Sequence, residues 1–244
     1  LHPPLMLHFW TADQTVILGM QDLKLPQLGR GLRVLASDGY GFFVRNSGGL
    51  AVIADRGVLN VSLFLPNEDE LSINGAYELM TQLFRTAFPS LPIATTEIVH
   101  SYCPGKYDLS VRGQKFAGMA QRRNRAGIVV MLYCSIFGNQ DARCALLRRF
   151  YHEGKAAASS HFTFPVIRSE TMTTLSDLLG RPLTLEQATV ALLNALADTG
   201  IAADMNSMPT LLRDPAYHKA LTEATADLHT RNRSLKKMGE HDAI

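Results

Sequence analysis

Apolar residues recur along this chain with two periods, and the changes from one period to the other mark its elements. Residues 15–20, TVILGM, are an apolar run of strand length. Residues 26–37 then put Leu28, Leu32 and Leu35 on one face of a helix that Asp38-Gly39 closes. Short strands follow at 41–45, 51–54 and 58–64, separated by Ser47-Gly48-Gly49 and Asp55-Arg56-Gly57, both strong turn signals. Ile73, Tyr77, Met80 and Phe84 recur at helical spacing and predict a helix over 72–88, which Pro89 and Pro92 end. Residues 108–111 alternate as a strand, Arg112-Gly113 supplies a two-residue turn, and 114–120 return as its partner. The apolar run 127–137 is a buried-strand candidate, and 141–151 a helix led by Asp141. Residues 152–167 read as a loop whose small, polar stretch 156–160 suits an ordinary surface loop or a flap. Thr184 and Gln187 make a capping box ahead of Val190, Leu193 and Leu196, and from Asp214 onward the pattern is that of a charged, exposed helix and tail.

Strands and helices interleaved this way predict an α+β fold: a mixed, largely antiparallel sheet faced by helices, with a site at one sheet edge. A length of 244 residues with 46% hydrophobic content suffices for one sizeable core, so a single domain over 1–244 is expected, sheet-rich to about 151 and helical from about 170. The opening LHPPLMLHFW lacks a basic lead and a small-residue cleavage pattern, so it does not read as a signal peptide, and no run is long enough to span a bilayer. A net charge of +2 with dispersed basic residues does not suggest a nucleic-acid binder. Arg122, Arg123 and Arg125 form the main basic cluster, either a solvated strand end or a docking patch for an acidic protein. Three cysteines without paired spacing argue against a disulfide framework and a zinc site, and a cytoplasmic setting is expected. Cys134 lies in an apolar run and Cys144 at helical spacing with Leu147, as small core residues do.

Cys103 stands apart, because Pro104-Gly105 follows it and places the thiol on a loop. The hairpin 108–120 brings Lys115 back toward it. A free thiol, with a pKa near ~8.5, is mostly protonated at neutral pH, and a nearby ammonium stabilises the thiolate. The same lysine, partly desolvated, could pass a proton to a departing amine and take one from an attacking amine, which suits acyl transfer through a thioester. Asp108 either orients Lys115 or caps the hairpin. Gln121 and Asn60 either line a site or satisfy buried backbone groups. His100, three residues before Cys103, offers a rival partner, but closeness in sequence is not dyad geometry. Phe116 and Met119 read as core or pocket wall. Ser47-Gly48-Gly49 is a tight turn by itself, or a place where backbone approaches a ligand.

The run CPGKYDLSVRGQKFAGMAQRR resembles the cysteine and lysine motif of the lipoate-protein ligase and octanoyltransferase superfamily, in particular its cysteine-dependent amidotransferase branch. Residues 44–66, VRNSGGLAVIADRGVLNVSLFLP, resemble that superfamily's acyl-binding segment, and 127–151 continue the likeness. The resemblance implies a biotin/lipoate ligase-like catalytic domain with Cys103 and Lys115 as catalytic residues. It also implies that Arg45, Ser47, Gly48, Gly49, Asp108, Gly118 and Gln121 bind substrate. ATP-dependent ligases commonly carry a third glycine and then a histidine where this chain has Leu50 and Ala54-Asp55, so the resemblance favours the transferase over the ligase. It implies octanoyl transfer from the octanoylated glycine cleavage H protein to lipoyl domains of 2-oxoacid dehydrogenases, without cofactor or metal and with neither nucleic acid nor membrane as partner. An octanoyl acyl carrier protein as donor, an ATP-dependent lipoate-protein ligase and a non-catalytic lipoyl-domain binding module are the alternatives. An apolar slot walled by helix 72–88 and strand 51–54 is expected for the acyl chain. Relatives in the superfamily begin with further elements, so the native amino terminus is expected to lie upstream of Leu1.

Overall fold

The computed structural model describes residues 5–67, 71–125, 127–155, 164–198 and 208–240. Its strands are β1 (Met6–Trp10), β2 (Thr15–Leu18), β3 (Gly41–Val44), β4 (Val52–Ala54), β5 (Val58–Leu65), β6 (Ala94–Thr95), β7 (Leu109–Val111), β8 (Gln114–Arg123) and β9 (Ile128–Ser135). Its helices are α1 (Leu28–Ser37), α2 (Ile73–Ala87), α3 (Gln140–Gly154), α4 (Leu175–Leu179), α5 (Leu185–Asp198), α6 (Met208–Leu211) and α7 (Pro215–Glu240). Among the described residues the strands make two sheets. The larger is antiparallel throughout, in the order β1-β5-β9-β8-β7-β6, and the smaller is β3-β2-β4, where β2 and β3 run parallel. The expected α+β class with a largely antiparallel sheet holds, with the parallel pairing confined to the smaller sheet.

Alternation along β5 explains the layering. Leu59, Val61, Leu63 and Leu65 enter a core shared with α2 and α5, while Asn60 and Ser62 fall on the opposite face. There they line a cavity together with Ile17 and Val52 of the small sheet. The site therefore lies on the face of central strands, between two sheets, and not at a sheet edge as expected. β1, which the opening residues did not reveal, pairs with β5 and closes one side.

Helix boundaries follow local chemistry. Ser72 caps α2, its Oγ accepting from the Gly75 amide at 2.9 Å, and the helix buries Ala76, Met80, Leu83 and Phe84. Ile73, expected on the apolar face, is exposed in the first turn. The capping box before α5 forms both ways: the Gln187 amide donates to Thr184 Oγ1 at 3.2 Å, and the Thr184 amide to Gln187 Oε1 at 3.0 Å. Its buried face is Ala188, Leu192 and Ala195, and Val190 points outward. The inward stripe follows i, i+4, i+7, with alanines where the helix packs on α2. Asn139, not Asp141, caps α3, accepting from the Ala142 amide at 3.0 Å. Residues 156–160, where a flap was expected, lie outside the described residues.

α7 is largely exposed, as its charge pattern predicts, but one turn of it is anchored. Asn232 Oδ1 accepts from the Val44 amide at 2.6 Å and its Nδ2 donates to the Val44 carbonyl at 3.3 Å, so this side chain occupies the open edge of β3 as a strand would. Leu235, one turn on, is buried in the core beside it.

Candidate active site

The turn Arg112-Gly113 has φ of +51° and +78°, the double left-handed geometry of a two-residue hairpin, and it joins β7 to β8 as expected. The register then slips: Ser110 faces Lys115, but Leu109 faces Ala117, leaving Phe116 as an extra residue. That bulge changes the alternation, so Phe116 and Ala117 both enter the helix-side core while Lys115 and Gly118 share the other face. A Cβ on Gly118 would stand 2.8 Å from Tyr133 Cε1 and 3.1 Å from Lys115 Nζ. Glycine there makes room for the lysine.

Lys115 is fully buried and reaches acceptors on several sides. Nζ lies 2.8 Å from Asp108 Oδ1, 2.7 Å from the Cys103 carbonyl, 3.1 Å from the Tyr102 carbonyl and 3.3 Å from Ser101 Oγ. The Tyr133 ring centroid is 5.7 Å away. Lys115 thus holds the backbone of Cys103 directly. Of the two roles considered for it, Asp108 takes the contact with Lys115, and instead of capping the hairpin it binds the loop that precedes it. Besides Lys115, it accepts from the Gly105 amide at 3.1 Å and the Ile98 amide at 3.2 Å, which ties down the cysteine loop. Burial pushes its carboxyl above the usual range, while the Lys115 ammonium and these amides pull it down.

Cys103 itself has φ of +49°, a left-handed conformation that costs a residue with a Cβ about 1–3 kcal/mol. Its Sγ lies 3.2 Å from the Leu50 amide and 3.8 Å from Arg45 Nη2. Both donors come from the loop after β3. Arg45 spreads over that loop: Nε donates to Ser47 Oγ at 3.0 Å, Nη1 to the Ile17 carbonyl at 3.1 Å, and Nη2 to the Gly48 and Leu50 carbonyls at 2.8 and 3.0 Å. Gly49, at φ of +90°, has no space for a side chain, since a Cβ would meet Arg45 Nη2 at 2.8 Å and Cys103 Sγ at 3.0 Å. A Cβ on Gly48 would meet nothing within 4 Å.

A second layer, not read from the sequence, supports this loop. Asp22 is buried and accepts from the Gly19 amide at 2.8 Å and the Tyr151 hydroxyl at 2.9 Å; that hydroxyl in turn accepts from the Ala51 amide at 3.0 Å. Burial raises the Asp22 carboxyl to about 6, with the Gly19 amide, Tyr151 and Arg45 acting against it. Asp55, at the second departure from the ligase pattern, pairs with Arg143, whose Nε lies 2.7 Å from Asp55 Oδ2. At the first departure Leu50 sends its side chain into the core.

The cavity in front of Cys103 has a volume of about 790 Å³. Arg45, Gly48, Gly49, Gly118 and Gln121 line it with Cys103, whereas Lys115, Asp108 and Ser47 stand behind its wall. Of the expected wall elements, α2 contributes Tyr77 and β4 contributes Val52; β5, β8 and β9 supply the largest part of the remainder, and α7 adds Leu228 and Arg231. Gln121 Nε2 donates to the Ile73 carbonyl at 3.3 Å, joining β8 to α2. His100 meets the Val166 carbonyl at 3.2 Å. Arg122 and Arg123 donate to the Asn46 and Leu71 carbonyls, so both serve to pin loops. Cys134 faces the helix-side core and burial pushes its thiol far up; burial raises Cys144 to about 11. Among the described residues no group of three His, Cys, Asp or Glu side chains is placed to hold a metal. No helix among them is long and apolar enough to cross a membrane.

A large antiparallel sheet backed by helices, with a smaller sheet closing over a slot, is the fold of the lipoate protein ligases. One such solved structure, a bi-partite lipoate protein ligase and its E2 lipoyl domain from Thermoplasma acidophilum, aligns at a TM-score of 0.58 over 81% of this chain and 71% of that chain, at 17% identity. Residues 2–197 match the lipoyl protein ligase A/B catalytic domain, and the chain belongs to this family. The octanoyl-[GcvH]:protein N-octanoyltransferase of Exiguobacterium sibiricum is 44% identical over 193 residues, 78% of this chain and 71% of that protein. The lipoyl-[GcvH]:protein N-lipoyltransferase of Listeria monocytogenes is 42% identical over 225 residues, 89% of this chain and 80% of that protein.

Proposed function

We propose that this protein is an amidotransferase that moves an octanoyl group from the lipoyl-lysine of the glycine cleavage H protein to a lysine of 2-oxoacid dehydrogenase lipoyl domains, through a thioester on Cys103. The names of the two relatives support the donor and the transfer. The observation that carries the chemistry is the Cys103 sulfur, facing the cavity with the Leu50 amide at 3.2 Å and Lys115 bound to the residue's own carbonyl.

In the first half-reaction the Cys103 thiolate attacks the amide carbonyl carbon of the donor. A C–S bond forms, the C–N bond breaks, and Lys115 gives a proton to the departing lysine amine. Donors on the 45–50 loop, which already face the sulfur, stabilise the oxygen of the tetrahedral adduct. In the second, the neutral amine of a lipoyl-domain lysine attacks the thioester, a C–N bond forms as the C–S bond breaks, the amine's proton goes to Lys115, and the Cys103 thiolate returns. An amide is broken and an amide is made, so the exchange is nearly balanced and needs no nucleotide. One catalytic domain in the cytoplasm carries both steps.

Mixing the protein with octanoylated H protein and a lipoyl domain, without ATP, tests this. The lipoyl domain is expected to gain one octanoyl group, read by its mass. Gain only when octanoic acid and ATP are supplied would make the protein a ligase, and gain only from octanoyl acyl carrier protein would replace the donor.

A further inference from the structure

Strand β5 turns two polar side chains, Asn60 and Ser62, onto the cavity face of the large sheet. Asn60 is 4% exposed, and its Nδ2 has no hydrogen-bond partner among the described residues. Ser62 Oγ accepts from Trp10 Nε1 at 3.4 Å. Buried carboxamides are rarely left without partners, because the unmade bond costs more than the made one gains. A purely structural role would be filled at lower cost by valine or leucine, as at every alternate position of this strand.

The sheet register locates the amide relative to the reacting end. Asn60 lies opposite Tyr133, and Tyr133 opposite Gly118, beside which Lys115 Nζ packs. Neighbouring strands are ~4.8 Å apart, so Asn60 stands on the order of 10 Å from Gly118 along this row. An extended octanoyl chain, built from C–C bonds of ~1.5 Å in a zigzag, also spans on the order of 10 Å. Lys115 Nζ, 3.1 Å from a Cβ on Gly118, is 2.7 Å from the Cys103 carbonyl, so a chain that leaves Cys103 along this row would bring its far end, not its polar end, to Asn60.

We propose that Asn60 is a specificity-determining residue at the distal end of the acyl slot, where it favours chains ending in a soft hydrogen-bond acceptor, such as a dithiolane sulfur, over plain alkyl chains. This rests on Cys103 being the acylated residue. An alkyl terminus leaves the buried N–H unpaired, whereas a sulfur accepts from it, weakly but in a dry site. Trp10, the one tryptophan of the chain, lies opposite Asn60 in β1 and lines the same cavity, so its fluorescence reports what occupies this end.

The test is competition between equal amounts of lipoylated and octanoylated H protein, with the ratio of the two adducts on the enzyme read by intact mass. Asn60→Leu, close to isosteric, is expected to shift that ratio toward octanoyl by roughly fivefold, the worth of about one net hydrogen bond. Asn60→Thr, which keeps a donor, should stay near the wild-type ratio. An unchanged ratio in Asn60→Leu, or an equal shift in both variants, would overturn the proposal. Titration of Trp10 fluorescence with free octanoic and lipoic acids reads the slot without any covalent step. Wild-type protein forming no adduct, yet losing its preference for lipoic acid on Asn60→Leu, would refute the thioester and leave this inference standing; no change in either measurement would end it.

Discussion

The two loops that meet at Cys103 are built on opposite principles. On the hairpin side a fully buried ammonium, Lys115, is held by a buried carboxylate and by backbone carbonyls of the cysteine loop. On the other side the loop after β3 presents a backbone amide to the sulfur. It is shaped by a glycine at φ of +90° and by a partly exposed arginine spread over carbonyls. The first construction makes position depend on charge, and removing one partner strands the other in a dry site. The second depends on backbone shape, and single changes perturb geometry before they perturb folding.

Lys115→Met sharpens this contrast most. It leaves the buried Asp108 with its two amide donors but without its counter-charge, and about 3–5 kcal/mol of stability is expected to be lost, together with octanoyl transfer. The double variant Lys115→Met/Asp108→Asn should recover most of the stability in denaturant melts but no transfer. Recovery of both would remove Lys115 from the chemistry.

Asp22 tests the other loop through pH. Its carboxyl is raised from 3.8 to about 6, so the folded protein keeps a proton that the unfolded chain releases between those values. The stability this proton provides is full below about pH 4 and is lost as pH rises through about 6, on the order of 3 kcal/mol in all. Asp22→Asn should flatten that dependence in thermal melts from pH 4 to 8. An identical profile in the variant would show that Asp22 titrates normally.

Backbone shape gives the smallest effect. Gly49→Ala forces a Cβ against Arg45 and the Cys103 sulfur and is expected to cost about 1–3 kcal/mol and to alter the rate of Cys103 alkylation by iodoacetamide. Gly48→Ala, with open space in front of it, should change stability by less than about 0.5 kcal/mol. Equal losses in the two variants would contradict the packing described here.

What the sequence made legible was local. Arg112-Gly113, Ser47-Gly48-Gly49, the Thr184 capping box and the loop position of Cys103 each follow from neighbours within a few residues. The bulge at Phe116 did not, because it arises from the pairing of β7 with β8 and leaves no mark on composition. Nor did the support of Ala51 by Tyr151, a hydrogen bond across 100 residues of sequence. The inward face of α5 was not legible, because several apolar stripes fit a helix rich in alanine and leucine, and only packing on α2 selects Ala188, Leu192 and Ala195. Asn232, in a helix that reads as solvated, gains its role from the open edge of β3. Asn60 and Ser62 did leave a signal, polar residues at period two inside an otherwise apolar strand.

The most direct measurement is the intact mass of the enzyme after mixing with octanoylated H protein alone, with peptide mapping of any adduct. One octanoyl group on Cys103, absent in Cys103→Ala and released when a lipoyl domain is added, is the predicted result. Octanoyl transfer that persists in Cys103→Ala, or an adduct mapped to another residue, would contradict it.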